Sequence, residues 1–124
     1  GWYMVASGFQ ADRTAVSPYR LVIHLGLALV IFSALVWTAL GLLRPDGDAP
    51  VEARPVRRMV QVTVGCVVAA MLAGGFVAGI RAGFSYNTFP LMDGRWVPEG
   101  YLDLAPWWAN LTANIAAVQF NHRL

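Results

Sequence analysis

Residues 21–43 read LVIHLGLALVIFSALVWTALGLL, 23 positions without Asp, Glu, Lys or Arg. At about 1.5 Å rise per residue, a helix of this length covers a hydrocarbon core of roughly 30 Å, so the run predicts a membrane span. Arg20 precedes it, and Arg44 with Pro45 ends it by joining a charge to a ring that disfavours helix continuation. Residues 59–80, MVQVTVGCVVAAMLAGGFVAGI, form a second uncharged run between Arg58 and Arg81 and predict a second span. Residues 21–43 do not read as a signal peptide, because an apolar signal core is only about 7–15 residues long and here a further span follows.

The composition agrees with this reading. Hydrophobic residues make up 57% of the 124 positions and charged residues 13%, against roughly 45–50% and 25% in soluble domains. The nine basic residues are all arginine and are offset by seven acids, leaving a net charge of +2. Charge is therefore scarce rather than gathered into a basic face, and nucleic acid is not an expected partner. Cys66 is the only cysteine, so no intramolecular disulfide can form, and no Cys/His spacing suggests zinc. The chain opens at Gly1 and stops at Leu124 just after an aromatic and histidine cluster. We therefore expect an internal piece of a longer protein, with other catalytic residues outside it.

The expected architecture is an all-α transmembrane helical bundle. Residues 1–20 precede the first span on the outer side. Residues 44–58, RPDGDAPVEARPVRR, join the spans as a loop rich in Pro, Gly and charge. Its four arginines mark it as cytoplasmic, a modest bias given Arg13, Arg20, Arg81 and Arg95 on the other side. Residues 81–106 are turn-rich and predict an outer loop, with Trp96, Tyr101, Trp107 and Trp108 suited to the headgroup region. A third helix is expected over 107–124. Gly75, Gly79 and Gly83 recur every four residues beside Ala69, Ala70, Ala73, Gly74 and Ala78. Such a face either lets helix backbones approach closely or leaves room for a flat cofactor.

Two histidines carry the chemistry. His24 sits about one turn inside the first span, where an ionisable side chain suggests a functional site; a hydrogen bond to a neighbouring helix is the plainer alternative. Arg20 lies four residues earlier on the same helical face, although a flanking arginine often just snorkels to headgroups. His122 belongs to a polar stripe with Asn110, Asn114 and Gln119 on the third helix, either structural glue or a cofactor site. Zinc would need more ligands close together than one imidazole per helix. Haem needs only axial imidazoles from facing helices, arginines for its propionates and an apolar slot, so it is the best physical match. No phosphate-cradling loop, nucleophile elbow or pair of carboxylates in an apolar run is present. Asp93, Glu99 and Asp103 read as solvated loop charges.

Three stretches together resemble the haem A synthases of aerobic bacteria and mitochondria. They are GWYMVASG at 1–8, VSPYRLVIHL at 16–25, and AGIRAGFSYNTFPLM at 78–92 followed downstream by VQFNHR at 118–123. The resemblance covers nearly the whole chain. It implies a fragment of an eight-helix membrane protein made of two four-helix halves, running from the outer end of the third helix into the sixth. It further implies an oxidoreductase that converts a methyl group of haem O to the formyl group of haem A by successive hydroxylations and loss of water, for cytochrome oxidase biogenesis. On the matching motifs, His24 would be an iron-binding and catalytic histidine on the substrate-haem side. His122 would be one iron ligand of a haem b cofactor. Their partner histidines, and the glutamate-bearing histidine motif tied to catalysis, are expected outside the chain. On electrostatic grounds Arg20, Arg81 and Arg123 are candidates to meet haem propionates, and residues 86–89 of the family-like loop either cap the haem edge or form a tightly turned connector.

The implied partners are haem O, haem O synthase, cytochrome oxidase assembly factors and membrane lipid, with a homo-oligomer left open. The implied location is multi-pass, in a bacterial plasma membrane or the mitochondrial inner membrane. Two positions depart from the family pattern: Ala113 stands where relatives often carry an acid, and Asn121 where they carry Asp. Any carboxylate tuning the His122 side is therefore absent. A haem-binding electron carrier of the cytochrome b type and a purely structural helical hairpin are the alternatives.

Overall fold

The computed structural model describes residues 1–8, 15–43 and 54–124. Arg13, Arg44 and most of the expected cytoplasmic loop lie outside the described residues. Within them the chain is helical, with no strand beyond an isolated bridge between Met92 and Arg95. A short α1 (Trp2–Val5) precedes two long helices, α2 (Pro18–Leu43) and α3 (Arg54–Gly79), and a short α4 (Ile115–Arg123). Both long helices are long and apolar enough to cross a membrane.

α2 starts three residues before the uncharged run. The Leu21 amide donates to the Ser17 carbonyl, which makes Pro18 the first helical residue. There its fixed φ is preorganised for the helix and its missing N–H would have no intrahelical partner. α3 takes in Arg54–Arg58, expected in the loop, and ends one residue before Ile80. It is terminated by Arg81 in the left-handed region (φ 57°), after which Ala82–Phe84 makes a 3-10 turn.

The two helices form an antiparallel hairpin whose contacts pair Pro18 with Gly79, Val22 with Gly75, and Gly26 with Leu72. A Cβ on Gly75 would stand 3.0 Å from Val22 Cγ2, and one on Gly79 2.7 Å from Pro18 Cβ. The four-residue glycine spacing therefore serves backbone approach between helices. Gly83 lies past the helix end, in the 3-10 turn.

No residue of α2 is buried, and only Gly75 of α3 is. Ile31, Phe32, Leu35, Val60, Val62 and Val64 are all exposed. An apolar surface this extensive marks a binding or membrane face rather than a wetted one; lipid or further helices match it, since all backbone groups of a helix are satisfied internally. The small core sits instead at the loop end of the hairpin, where Ala82, Met92, Ala116, Ala117 and Val118 are buried.

The expected third helix does not begin at Trp107. Trp107–Leu111 forms a 3-10 turn, and the α-helix starts only at Ile115. Asn114 is the reason. Its Oδ1 accepts from the Ala117 amide at 3.1 Å as an N-cap, while its Nδ2 donates to the Gly100 carbonyl and to Asn110 Oδ1. Asn110 in turn accepts from the Leu104 amide and donates to the Leu104 and Trp107 carbonyls. Asparagine competes for backbone hydrogen bonds and so favours caps and turns over helix interiors. The two asparagines expected in the helical stripe with His122 thus fold the loop beneath α4 instead.

Candidate functional site

His24 projects from the first turns of α2 into an apolar cleft of about 490 Å³ against α3. Leu21, Leu25 and Ala28 line it from α2, with Met71, Gly74, Gly75 and Ala78 from α3. His122 lies near the end of α4, in a second cleft of about 590 Å³ whose floor is Cys66, Ala69, Ala70 and Ala73 of α3. Both volumes fall within the roughly 300–1,000 Å³ of small-molecule and cofactor sites. The structure brings the two histidines against one helix, α3: Gly74 lines the His24 cleft and also seats the His122 ring.

Neither imidazole makes a hydrogen bond or ion pair among the described residues, and both are exposed to their clefts. The plainer expectation for His24, a hydrogen bond to a neighbouring helix, is therefore not met within these residues. No group of three or more His, Cys, Asp or Glu gathers among the described residues. The donor set is one imidazole per cleft with apolar walls, which fits a metal that brings its own equatorial ligands, as haem does.

The arginines are engaged unequally. Arg20 is half-buried; its Nη1 donates to the Tyr3 carbonyl at 3.1 Å and its guanidinium stands 4.5 Å over the Tyr3 ring. This contact docks α1 over the start of α2, one turn before His24. Arg123 donates to the carbonyls of Thr88 (2.8 Å) and Tyr86, clamping the 86–88 loop to the end of α4. Arg81 is exposed, with no side-chain partner among the described residues.

The loop held by Arg123 is itself braced. Thr88 Oγ1 donates to the Leu91 carbonyl and accepts from the Asp93 amide, and Asn87 donates to the Phe84 carbonyl. Tyr86 (φ 52°) and Asp93 (φ 51°) adopt left-handed backbone angles that few non-glycine residues take up without such support. Tyr101 joins this layer to α4: its hydroxyl donates to Asn121 Oδ1 at 2.9 Å and its ring meets Phe120 edge-on. Tyr19 does the same for the hairpin, hydrogen-bonding Thr112 and packing edge-on against Phe76.

Sequence reasoning placed Gly74 in the small-residue face, Tyr101 among the headgroup aromatics and Gln119 in the polar stripe, but missed the contacts each makes. Gln119, one turn before His122, is buried, and its Oε1 has no partner among the described residues. An orphaned acceptor of this kind is costly, about 1–3 kcal/mol, so a donor from outside the described residues is expected there.

Along its full length the chain is similar to proteins named heme A synthase. It is 57% identical over 124 residues to that of Granulibacter bethesdensis, covering all of this chain and 32% of the relative. It is 48% identical over 127 residues to that of Nitrosomonas eutropha, and 48% over 126 residues to that of Nitrosospira multiformis, covering 35% of each. The chain thus spans about one third of the length of the curated relatives it matches. No solved structure matches it at a significant level. The family described as cytochrome oxidase assembly protein, COX15-CtaA, matches residues 1–124, and the chain belongs to that family.

Proposed function

We propose that the protein containing this chain is a haem A synthase, an oxidoreductase that turns a methyl group of haem O into the formyl group of haem A through successive hydroxylations and loss of water. The observation that carries this reading is the 57% identity, over the whole chain, to a relative named heme A synthase. The site supports it, because each histidine faces its own apolar cleft without a partner among the described residues. It would act in a membrane, the bacterial plasma membrane or mitochondrial inner membrane, alongside haem O synthase and cytochrome oxidase assembly factors.

In this reading His24 binds the iron of the substrate haem O and holds its methyl at the oxidation site. His122 would help hold the iron of a resident haem b, which when bound would supply one-electron chemistry that side chains lack. The apolar walls of both clefts exclude water from the porphyrin faces. Arg20, Arg81 and Arg123 offer positive charge to propionates. Arg123 does so from a position fixed by the Tyr86 and Thr88 carbonyls.

The test uses the full-length parent in membranes supplied with haem O, with extracted haems compared by chromatography and mass. Wild type should yield haem A. His24→Ala and His122→Ala should each abolish it, and bound haem b should fall mainly in His122→Ala. Bound haem b with no haem A from wild type, despite ample haem O and reductant, would overturn the reading in favour of an electron carrier.

A further inference from the structure

We propose that Gly74 is the positioning residue for His122: its missing side chain lets the imidazole lie against the backbone of α3, and that seat fixes the ring in its cleft. The inference rests on His122 being a haem ligand, and it names what on the facing helix orients that ligand.

The geometry is specific to this glycine. A Cβ on Gly74 would stand 2.9 Å from His122 Cε1, 3.4 Å from Nε2 and 3.5 Å from Nδ1. All three atoms belong to the imidazole, and Cε1 lies between the two nitrogens, so the ring presents that edge to the helix. No real Cβ tolerates the shortest of these separations. The obstacle is the far end of a side chain rather than a main chain, so an added methyl would swing the ring and leave the helices in place. Any swing that frees Cε1 also carries both nitrogens with it.

Gly75, the next residue, makes a natural contrast. It is turned about 100° around the helix, and its added Cβ would meet Val22 and Leu25 of α2. One glycine therefore serves hairpin packing and the other the histidine. Around the seat, Ala70 and Ala73 keep the cleft floor low. Supporting groups that orient a metal-binding histidine typically change affinity by about 10–100-fold when altered.

The experiment compares Gly74→Ala and Gly75→Ala in the full-length protein, reading haem b per mole of protein and the low-spin electron paramagnetic resonance g values. Gly74→Ala should shift those g values or lose the low-spin signal, whereas Gly75→Ala should keep them. Wild-type g values and haem content in Gly74→Ala would overturn the proposal. If Gly74→Ala does not accumulate, His122→Gly removes the clash and free imidazole becomes the probe. Imidazole should restore the low-spin signal in His122→Gly, and bind about tenfold or more weakly once Gly74→Ala is added. Equal imidazole affinity in the two proteins would overturn the seat. A haem b signal unchanged by His122→Gly alone would instead overturn the ligand assignment on which the proposal rests.

Discussion

Three nearby glycines on α3 divide two tasks: Gly75 and Gly79 face α2, whereas Gly74 faces His122. Gly79 meets Pro18, and there the close atoms include main chain: an added Cβ would lie 2.7 Å from Pro18 Cβ and 2.8 Å from its Cα. Neither can rotate away, so Gly79→Ala must push the start of α2 off α3. Overpacking of this kind costs about 1–3 kcal/mol. Gly41, near the end of α2, has nothing within 4 Å of its would-be Cβ among the described residues. Gly41→Ala should therefore stabilise by about 0.5–1 kcal/mol through helix propensity. Thermal unfolding of the two variants in detergent should separate them in opposite directions, and a Gly79→Ala protein as stable as wild type would show that the hairpin does not close here. The sequence pattern displays the small-residue face but not its division of labour. Spacing shows that Gly75 and Gly79 share a side, whereas the seat of His122 on Gly74 depends on where a helix more than 40 residues downstream comes to rest.

At the scale of elements, α4 is short, and its position depends on how it is capped. Asn114 ends the loop, caps α4 through the Ala117 amide and ties both to the Gly100 carbonyl. Asn114→Ala removes a cap worth about 0.5–2 kcal/mol and leaves the part-buried Gly100 carbonyl without its bond. Because α4 carries His122, the variant should lower thermal stability by about 1–3 kcal/mol and reduce haem b occupancy in the full-length protein. Asn114→Asp keeps the capping oxygen but loses the amide donors, so it should recover only part of the loss. Equal stability of Asn114→Ala and wild type would remove the cap from the account. The long helices were legible because 23 uncharged residues admit few other structures in a membrane. Their ends were less so: α3 extends back through Arg54, Arg57 and Arg58 because arginine is a good helix former. The late start of α4 was hidden by the apolar Trp107-Trp108 pair. The signal that could have found it was Asn114 standing directly before the apolar run from Ile115.

For the whole molecule, the arginines differ in how they are held at the two ends of the hairpin. At the loop end, Arg20 is bound to Tyr3, Arg95 pairs with Glu99 at 3.4 Å, and Arg123 clamps the Tyr86 and Thr88 carbonyls, while Arg81 is exposed with no side-chain partner among the described residues. At the other end, Arg54, Arg57 and Arg58 are exposed and have no partner among the described residues. They stand in the first turns of α3, where positive charge opposes the helix dipole, so the dipole does not account for their placement. Three such arginines against the single Arg81 at the loop end would hold this end on the cytoplasmic side, facing anionic lipid. With that end inside, both histidines lie in the outer half of the membrane. His24 is about 9 Å from the loop end of α2, and the Gly74 seat of His122 about 8 Å from the loop end of α3. Both clefts then open next to the loop layer braced by Thr88 and Tyr101. The orientation is checked with a membrane-impermeant maleimide on spheroplasts, in a Cys66→Ser background, using Val56→Cys and Glu99→Cys, which leave every arginine intact. Glu99→Cys should label in intact spheroplasts and Val56→Cys only after lysis. The reverse pattern would place both clefts in the cytoplasmic half, with the outward-facing arginines being those bound into the loop layer.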